Sequence, residues 1–418
     1  MSDLAEVTSP PYDVIGPGTL DELLAASPYN VVRLILPGRG LSAREAGAVA
    51  AGRLRSWLTS GVLEADAEPA LYVYEQSAPG WVQRGLIGLV AVGTASVHPH
   101  EKVMPGPVAG RRELMMATRA NLEPIFLVYN GGAGDADSPV LAGGHGGPAG
   151  PASRLVDQVA GRQAPLVSAV TGDGVTHRLW RVTDPAEHAA VAADLAGRTA
   201  LIADGHHRYA AYRELRDLMR GDGHGAGPWD YGLAFLVDAD AYPPRLGPIH
   251  RVLPRLDLPE AARRAGKAFT VEELPGGAGG LEAALERLAA AGREGTAFLL
   301  AGRSGFRLLR QPDPEQVAAA MPPEASPRWR ALDASVMREL LLARLWSIED
   351  SERDVLISHD AGEAVRMALD GGGTAVLCNP MPFAAVREMA AHGERVPRKS
   401  TSFGPKPRTG LVLRTFES

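Results

Sequence analysis

The chain has 418 residues, of which 45% are apolar and 22% charged, so it can bury a core and is neither disordered nor fibrous. Its 43 basic and 49 acidic side chains give a net charge of −6, which disfavours a dedicated binder of nucleic acids or anionic membranes. The single cysteine, Cys378, excludes an internal disulfide, and residues 1–11 do not resemble a signal peptide. We therefore expect a cytoplasmic protein with two domains and no membrane span.

Short β-rich runs alternate with helical patterns along the chain, which predicts an α/β (α+β) fold. Residues 30–36 are the first β-rich run. Helical spacing follows up to Ser60, with Ser42 and Glu45 as a capping box at its start. In chain order, further strands are predicted at 71–76, 81–97, 175–182, 200–203, 297–301 and 374–379, and further helices at 111–119, 186–196, from 207, and at 281–291, 335–345 and 360–369.

The domain boundary is predicted near Arg255, where prolines interrupt the chain before an alanine-rich helix. Residues 1–255 then form the first domain. Residues 256–418 form a second α/β domain that ends in a basic segment. Inside the first domain, residues 131–153 are rich in Gly, Pro and Ala without apolar periodicity, which predicts a flexible surface insertion.

The strongest candidate site is the polar sequence DGHHR, which joins a predicted buried strand to a predicted helix. Gly205 permits a tight turn, and the N–H groups at the start of the helix would cradle a phosphate. His206, His207 and Arg208 add further donors. Asp204 would hold a metal ion, orient a histidine or accept a proton. The alternative is structural, with Asp204 as a helix cap and the histidines hydrogen bonded locally.

A second polar cluster, HEK at residues 100–102, precedes an arginine-rich helix. Glu101 would deprotonate an attacking hydroxyl or bind magnesium. Lys102 and arginines such as Arg111 would neutralise the charge of a phosphate. A solvated turn and a charged helix face explain the same residues without a function.

Polar residues near the two ends of the chain are further candidates for ligand contacts. Tyr12 and Asp13 offer polar tips within a rigid, proline-led segment and would bind the substrate. A turn in which Asp13 accepts a backbone hydrogen bond is the alternative. Lys399 belongs to a basic patch within residues 398–409, which would either close over an anionic ligand or form a solvated tail.

A metal centre is the competing interpretation of the two polar clusters, because imidazoles and carboxylates ligate transition metals. Its candidate ligands are His98, His100, Asp204, His206 and His207. The neighbouring Lys102 and Arg208 would repel a metal cation and attract a phosphate. The chain has no GxxxxGK[ST] P-loop and no GxGxxG sequence after a strand, which disfavours the nucleotide folds that carry these motifs.

Seven sequence blocks together resemble the domain-of-unknown-function-1015 family. They are PPYDVI at Pro10, SPYNVVRLILP at Ser27, HEKVMPGP at His100, ANLEPIFLVY at Ala120, IADGHHRYAA at Ile202, LDASVMRELLL at Leu332 and PRKSTSFGPKPRTGLV at Pro397. The resemblance covers nearly the whole chain, and the family name itself supplies no activity.

DGHHR also resembles the phosphate-binding strand-to-helix motif of the ParB/sulfiredoxin-like fold. Sulfiredoxins carry their reactive cysteine in this motif, whereas this chain has His206 and His207 there, so sulfinic-acid repair is not expected. ParB-type DNA partitioning would need a helix-turn-helix and a basic surface. The free serine kinase branch fits better, and it implies a nucleotide whose phosphates lie on DGHHR and a hydroxyl acceptor activated by an acidic residue.

The leading hypothesis is a nucleotide-dependent small-molecule kinase that uses ATP or another nucleotide with Mg²⁺, and free serine or a related amino acid as acceptor. In it, Glu101 or Asp204 serves as base or metal ligand, His206 assists, and Lys102 offsets charge in the transition state. A metal-dependent hydrolase that uses the histidines is one alternative. A noncatalytic nucleotide sensor is the other.

Overall fold

The computed structural model describes residues 4–38, 40–131, 149–274, 280–351 and 353–416. The chain divides into two compact units. The first comprises residues up to Pro244 together with those from Pro405 onward, and the second is Arg245–Gly404.

The first 244 residues alternate helices and strands. The helices are α1 (Leu4–Val7), α2 (Pro17–Ala26), α3 (Val32–Ile35), α4 (Ala43–Thr59), α5 (Pro105–Thr118), α6 (Pro151–Arg162), α7 (Pro185–Ala196) and α8 (His206–Gly221), with 3-10 turns at Tyr12–Val14 and Pro228–Asp230. The strands are β1 (Leu71–Ala78), β2 (Trp81–Ala91), β3 (Val97–His98), β4 (Ala120–Asn121), β5 (Ile125–Tyr129), β6 (Val167–Val170), β7 (Thr176–Val182), β8 (Ala200–Asp204) and β9 (Tyr231–Asp238).

The rest of the chain also contains both helices and strands. Its helices are α9 (Leu258–Ala265), α10 (Gly280–Glu294), α11 (Pro314–Ala320), α12 (Pro327–Arg330), α13 (Asp333–Ser335), α14 (Ala361–Gly371) and α15 (Phe383–Ala391), with a π-helix at Val336–Trp346. Its strands are β10 (Arg245–Gly247), β11 (His250–Leu253), β12 (Thr270–Leu274), β13 (Ala297–Gly302), β14 (Gly305–Arg310), β15 (Leu356–Ser358), β16 (Thr374–Cys378), β17 (Ser402–Gly404) and β18 (Arg414–Thr415).

The first unit is built on an eight-stranded sheet in the order β3-β8-β5-β9-β2-β1-β7-β6. Neighbouring strands are antiparallel except β3 with β8 and β5 with β9. The central strands are buried along their whole length, and Ile125 and Ile202 pack against Tyr209 and Tyr212 of α8. This packing holds α8 against the sheet, so that its first turn begins directly at the end of β8.

The second unit contains a six-stranded antiparallel sheet in the order β12-β14-β13-β16-β11-β15. Successive residues of β13 belong to hydrophobic cores on opposite faces of the sheet. Phe298 lies in the core that includes the π-helix, whereas Leu299 lies in the core that includes α10 and α14. This alternation follows from the two-residue period of a strand, and both faces of the sheet are therefore covered by helices.

The predicted α/β (α+β) class is confirmed, since each unit combines helices with a sheet. The first unit ends at residue 244 and not near Arg255, because β11 pairs with β16 and belongs to the second sheet. The residues from Pro405 onward return to the first unit, where β18 pairs with β4.

Two local predictions differ from the structure. The β-rich run at 30–36 contains the helix α3, because the buried Asn30 side chain accepts a hydrogen bond from the N–H of Val32 and starts a turn there. Most of the predicted insertion at 131–153 lies outside the described residues, but its last three residues begin the amphipathic helix α6. No helix in the described part of the chain is long and apolar enough to cross a membrane.

Candidate functional site

The DGHHR sequence forms a sharp strand-to-helix turn, as predicted. β8 ends at Asp204, Gly205 is the N-cap with φ +92°, and α8 begins at His206. A Cβ atom on Gly205 would lie 3.1 Å from Ile125 Cγ2 and 3.2 Å from Arg208 Cζ. The left-handed backbone and this close packing both require glycine. The turn directs the first N–H groups of α8, and the positive end of its dipole, toward the end of β8.

Replacing Gly205 with alanine is expected to lower the free energy of unfolding by roughly 1–2 kcal/mol, because a Cβ is unfavourable at this φ. Urea denaturation of the full chain measures the change. Gly197→Ala is the matched control, since Gly197 has φ −92° and open space around it. Equal stability of the two variants would contradict the strained turn.

Asp204 and Arg208 form a buried ion pair one helical turn apart. Arg208 Nη2 lies 2.5 Å from Asp204 Oδ2, and the two residues are 3% and 7% exposed. Arg208 Nη1 also donates to the carbonyl of Pro124. Burial lowers the pKa of Arg208, but the carboxylates of Glu123 and Asp204 outweigh that effect and raise it above its ordinary value. Arg208 is thus held in the interior by Asp204 and Pro124.

Lys406 supplies a second cation to Asp204. Its Nζ lies 2.5 Å from Asp204 Oδ1 and 3.6 Å from Asp13 Oδ2. Burial lowers the pKa of this ammonium, and the carboxylates of Asp204 and Asp13 reverse the shift and raise it. The side chains of Lys406 and Asp13 are 21% and 29% exposed, whereas that of Asp204 is 8% exposed. The site therefore has a buried ion pair with a more accessible one at its rim.

Backbone hydrogen bonds hold the segment that carries Lys406. The carbonyl of Pro405 accepts from Gln83 Nε2 at 2.9 Å, and Thr409 exchanges two backbone hydrogen bonds with Ser9. Arg408 donates its backbone N–H to the Tyr74 hydroxyl. Because these contacts flank Lys406 on both sides, they hold the backbone that carries its side chain.

Glu123 is a member of the site that sequence reasoning missed. It is 4% exposed, and its Oε1 accepts from the backbone N–H of Tyr12 at 3.0 Å and from the Thr409 hydroxyl at 3.4 Å. Burial raises the pKa of Glu123, while Arg208 and Arg111 oppose the shift without cancelling it. The only sequence signal was its position in the block ANLEPIFLVY, before the buried strand β5.

Arg111 and Tyr12 pack against each other beside Glu123. The guanidinium carbon of Arg111 lies 4.2 Å from the centre of the Tyr12 ring, and its Nη1 lies 3.7 Å from Glu123 Oε2. Arg111 also donates to the carbonyl of Ile35 at 2.9 Å. Burial, with a contribution from Asp13, raises the pKa of Tyr12 to about 12, so its hydroxyl stays protonated near neutral pH. The structure thus brings both predicted residues to the site.

The two histidines of DGHHR hold the loop that carries the HEK sequence. His206 Nε2 accepts from the backbone N–H of His100 at 3.4 Å, and His207 Nε2 accepts from the N–H of Met104 at 3.1 Å. The rings of His100 and His206 meet edge to face with centres 4.5 Å apart. Glu101 and Lys102 therefore lie on a loop attached to the first turn of α8, with Glu101 half-buried and Lys102 exposed.

Burial of His100 makes stability depend on pH. Desolvation lowers the pKa of this imidazole from 6.5 to about 3. Between these values the unfolded state binds more protons than the folded state, so stability falls as the pH drops below 6.5. His100 alone should account for a loss of roughly 2 kcal/mol between about pH 7 and about pH 5.

Urea denaturation of the wild type and His100→Gln at both pH values isolates this contribution. The buried His177, whose pKa is lowered to about 4 mainly by burial, is common to both proteins and cancels in the comparison. The variant should lose less stability than the wild type on acidification. Parallel losses would show that His100 does not titrate as described.

Two further features of the sequence interpretation concern Lys399 and the predicted metal centre. Lys399 belongs to the second unit, and DGHHR belongs to the first. The described residues contain no group of three or more His, Cys, Asp or Glu side chains placed to hold a metal ion. The predicted histidine centre therefore finds no ligand set in this part of the chain, where His206 and His207 instead accept backbone hydrogen bonds.

Several solved structures are similar to the chain. A free serine kinase in complex with AMP matches at 16% identity and a TM-score of 0.35, covering 76% of this chain and 87% of the other. SbnI with C-terminal truncation from Staphylococcus aureus matches at 11% identity and 0.38, covering 78% and 87%. A conserved hypothetical protein from Pyrococcus furiosus matches at 14% and 0.34, covering 76% and 90%.

No curated protein matches the chain. The model described as "protein of unknown function (DUF1015)" matches residues 1–335, which is most of the chain. The chain therefore belongs to the DUF1015 family, as its seven sequence blocks indicated.

Proposed function

We propose that the chain is a nucleotide-dependent phosphotransferase that phosphorylates a small hydroxylated acceptor, with free serine or a related amino acid as the expected substrate. The observation that carries this proposal is the position of Lys406, whose ammonium contacts Asp204 beside the N-terminus of α8 and keeps only a long contact to Asp13. Helix N-termini bind phosphates through their N–H groups and dipole, and a lysine neutralises phosphate charge. ATP is the expected donor, with other nucleotides as candidates.

The charge balance of the cluster determines how it would accept a phosphate. Its three carboxylates, Asp13, Glu123 and Asp204, face three cations, Arg111, Arg208 and Lys406. An added phosphate must therefore displace a carboxylate from one cation. The 3.6 Å contact of Lys406 with Asp13 is the longest and most exposed contact of Lys406, so it is the one that would exchange.

On the donor side, the backbone N–H groups of Gly205, His206 and His207 would hold the phosphates, and Lys102 would extend from its loop toward them. Arg208 has a positioning role in this proposal, because its guanidinium is occupied by Asp204 and Pro124.

On the acceptor side, Asp13 and Tyr12 would bind the small substrate once Lys406 has turned to the phosphate. Glu101 would accept the proton of the attacking hydroxyl. Asp204 is less suited to that role, because both of its oxygens already contact cations. The HEK loop is attached to the first turn of α8 by His206 and His207, which would keep Glu101 near the bound phosphates.

Magnesium would enter on the phosphates of the nucleotide, where it neutralises their charge. The ammonium of Lys406 between Asp13 and Asp204 disfavours a metal ion held by those two carboxylates alone. The single, half-buried Cys378 is consistent with the cytoplasm, where nucleotides are abundant.

The test is ³¹P NMR of the purified full chain with ATP, ADP or CTP, Mg²⁺ and a panel of hydroxylated amino acids. We expect one acceptor to yield a phosphate monoester. In the Asp13→Asn variant, the KM for this acceptor should rise by a larger factor than kcat falls. Arg213→Gln, an exposed site on α8, is the matched control. Nucleotide binding without any product would favour the sensor alternative. Hydrolysis that needs zinc and no nucleotide would favour the hydrolase.

A further inference from the structure

The second unit contains a partly open cavity that the proposed function does not use. Its volume is about 680 Å³, within the range of sites for small ligands. All lining residues belong to Arg245–Gly404. Phe298, Met337 and Met389 form a buried apolar wall, and Asp333 and Asn379 add polar groups. A mainly apolar cavity with a few polar groups is the usual form of a small-molecule site.

Asp333 is the most informative residue of the lining. Burial raises the pKa of its carboxyl group, and a hydrogen bond from Thr296 only partly offsets the shift. No lysine or arginine pairs with Asp333 among the residues that the structure describes. A desolvated carboxylate of this kind is stabilised by a cation that enters the same cavity.

Lys399 is one of several charged residues of the lining, which also include Arg251, Arg328 and Glu388. Its side chain is exposed, and its backbone has φ +54°, a conformation that residues other than glycine rarely adopt. Arg251, which is 2% exposed, donates to the carbonyl of Lys399 at 2.8 Å and holds this conformation. Strained backbone of this kind often occurs at binding sites. The basic patch predicted from the sequence therefore contributes a residue to this cavity.

We infer that this cavity is a binding site for a free amino acid with a large apolar side chain. The ammonium group pairs with Asp333, the side chain lies against the wall of Phe298, Met337 and Met389, and the carboxylate pairs with Lys399. An α-amino acid carries its ammonium and its carboxylate on the same carbon, so Asp333 and Lys399 would together hold the charged end of the ligand, and the apolar wall would hold its side chain. This ligand site is built from residues of the second unit, whereas the phosphate site is proposed on residues of the first.

Three related probes test the assignment by calorimetric titration of the full chain. L-phenylalanine carries both charges, phenethylamine only the ammonium, and 3-phenylpropionate only the carboxylate. We expect phenylalanine to bind most tightly. Asp333→Asn should weaken phenylalanine and phenethylamine at least about tenfold and leave 3-phenylpropionate unchanged, because the lost contact is worth more than one kcal/mol. Lys399→Gln should weaken the two carboxylate probes.

Asp370→Asn, an exposed carboxylate at the end of α14, is the control and should bind all probes like the wild type. Two results would overturn the inference: no binding of any probe to the wild type at millimolar concentration, or equal weakening of all three probes by Asp333→Asn. Lys399→Gln changes an exposed side chain and should therefore fold. Its effect on the two carboxylate probes still tests the inference if the Asp333→Asn variant does not fold. Because the readout is binding without nucleotide, it is independent of phosphoryl transfer.

Discussion

Arg208→Ala is expected to lower the free energy of unfolding by about 3–5 kcal/mol, the usual effect of removing one partner from a buried ion pair. Asp204 and Glu123 would remain in the interior with less compensating charge, and the carbonyl of Pro124 would lose its donor. Urea denaturation of the full chain measures the loss.

Arg213→Ala provides the control, because Arg213 is exposed on the same helix and its loss should change stability by less than about 0.5 kcal/mol. A loss below about 1 kcal/mol in Arg208→Ala would mean that the guanidinium is not the structural centre of the cluster. Loss of phosphoryl transfer in this variant would by itself say little about phosphate contact, because the fold of the site would also be affected.

Lys406→Met is expected to lower the rate of phosphoryl transfer by about 10²–10³-fold, the usual effect of removing one group that stabilises transition-state charge. Methionine retains most of the apolar volume of lysine, and Asp204 keeps its contact with Arg208, so the protein should still fold. Steady-state kinetics with the acceptor identified by ³¹P NMR measures the change, after a thermal melt has shown that the variant is folded.

Lys267→Met serves as the control for loss of one exposed lysine and should keep the wild-type rate. A folded Lys406→Met protein with unchanged turnover would remove Lys406 from the reaction. A raised KM for nucleotide with unchanged kcat would restrict its role to binding.

The local features of the site could be predicted from the sequence because they depend on neighbouring residues. Gly205 between a buried strand and a helix predicts the turn, and the structure gives it the left-handed φ that favours glycine. The capping box of Ser42 and Glu45 is also confirmed, since each side chain accepts a hydrogen bond from the other's backbone. Both depend on residues at most four positions apart.

The contacts between distant segments could not be predicted in the same way. Glu123 and Lys406 are 283 positions apart in the sequence, yet both lie next to Arg208 or its partner Asp204. Their proximity depends on the order of strands in the sheet and on the return of the chain to the first unit at Pro405. Composition and periodicity carry no information on such pairs.

Tertiary contacts also explain why one local structure, at residues 30–36, differs from the prediction. The run at 30–36 is apolar and β-branched, but Asn30 is buried and its amide donates to the carbonyls of Glu6 and Thr8. Its carbonyl oxygen is thereby oriented toward the N–H of Val32, which favours the helical turn. The strand propensity of valine and isoleucine is weaker than this set of hydrogen bonds.

The central claim is that nucleotide phosphates bind at the N-terminus of α8 beside Lys406. Calorimetric titration with ATP, ADP and CTP in magnesium, on the wild type, Lys406→Met and Arg213→Gln, tests it most directly. We predict saturable binding of at least one nucleotide to the wild type and Arg213→Gln, and at least about tenfold weaker binding to Lys406→Met. Binding of no nucleotide to the wild type, or equal affinity in all three proteins, would contradict the claim.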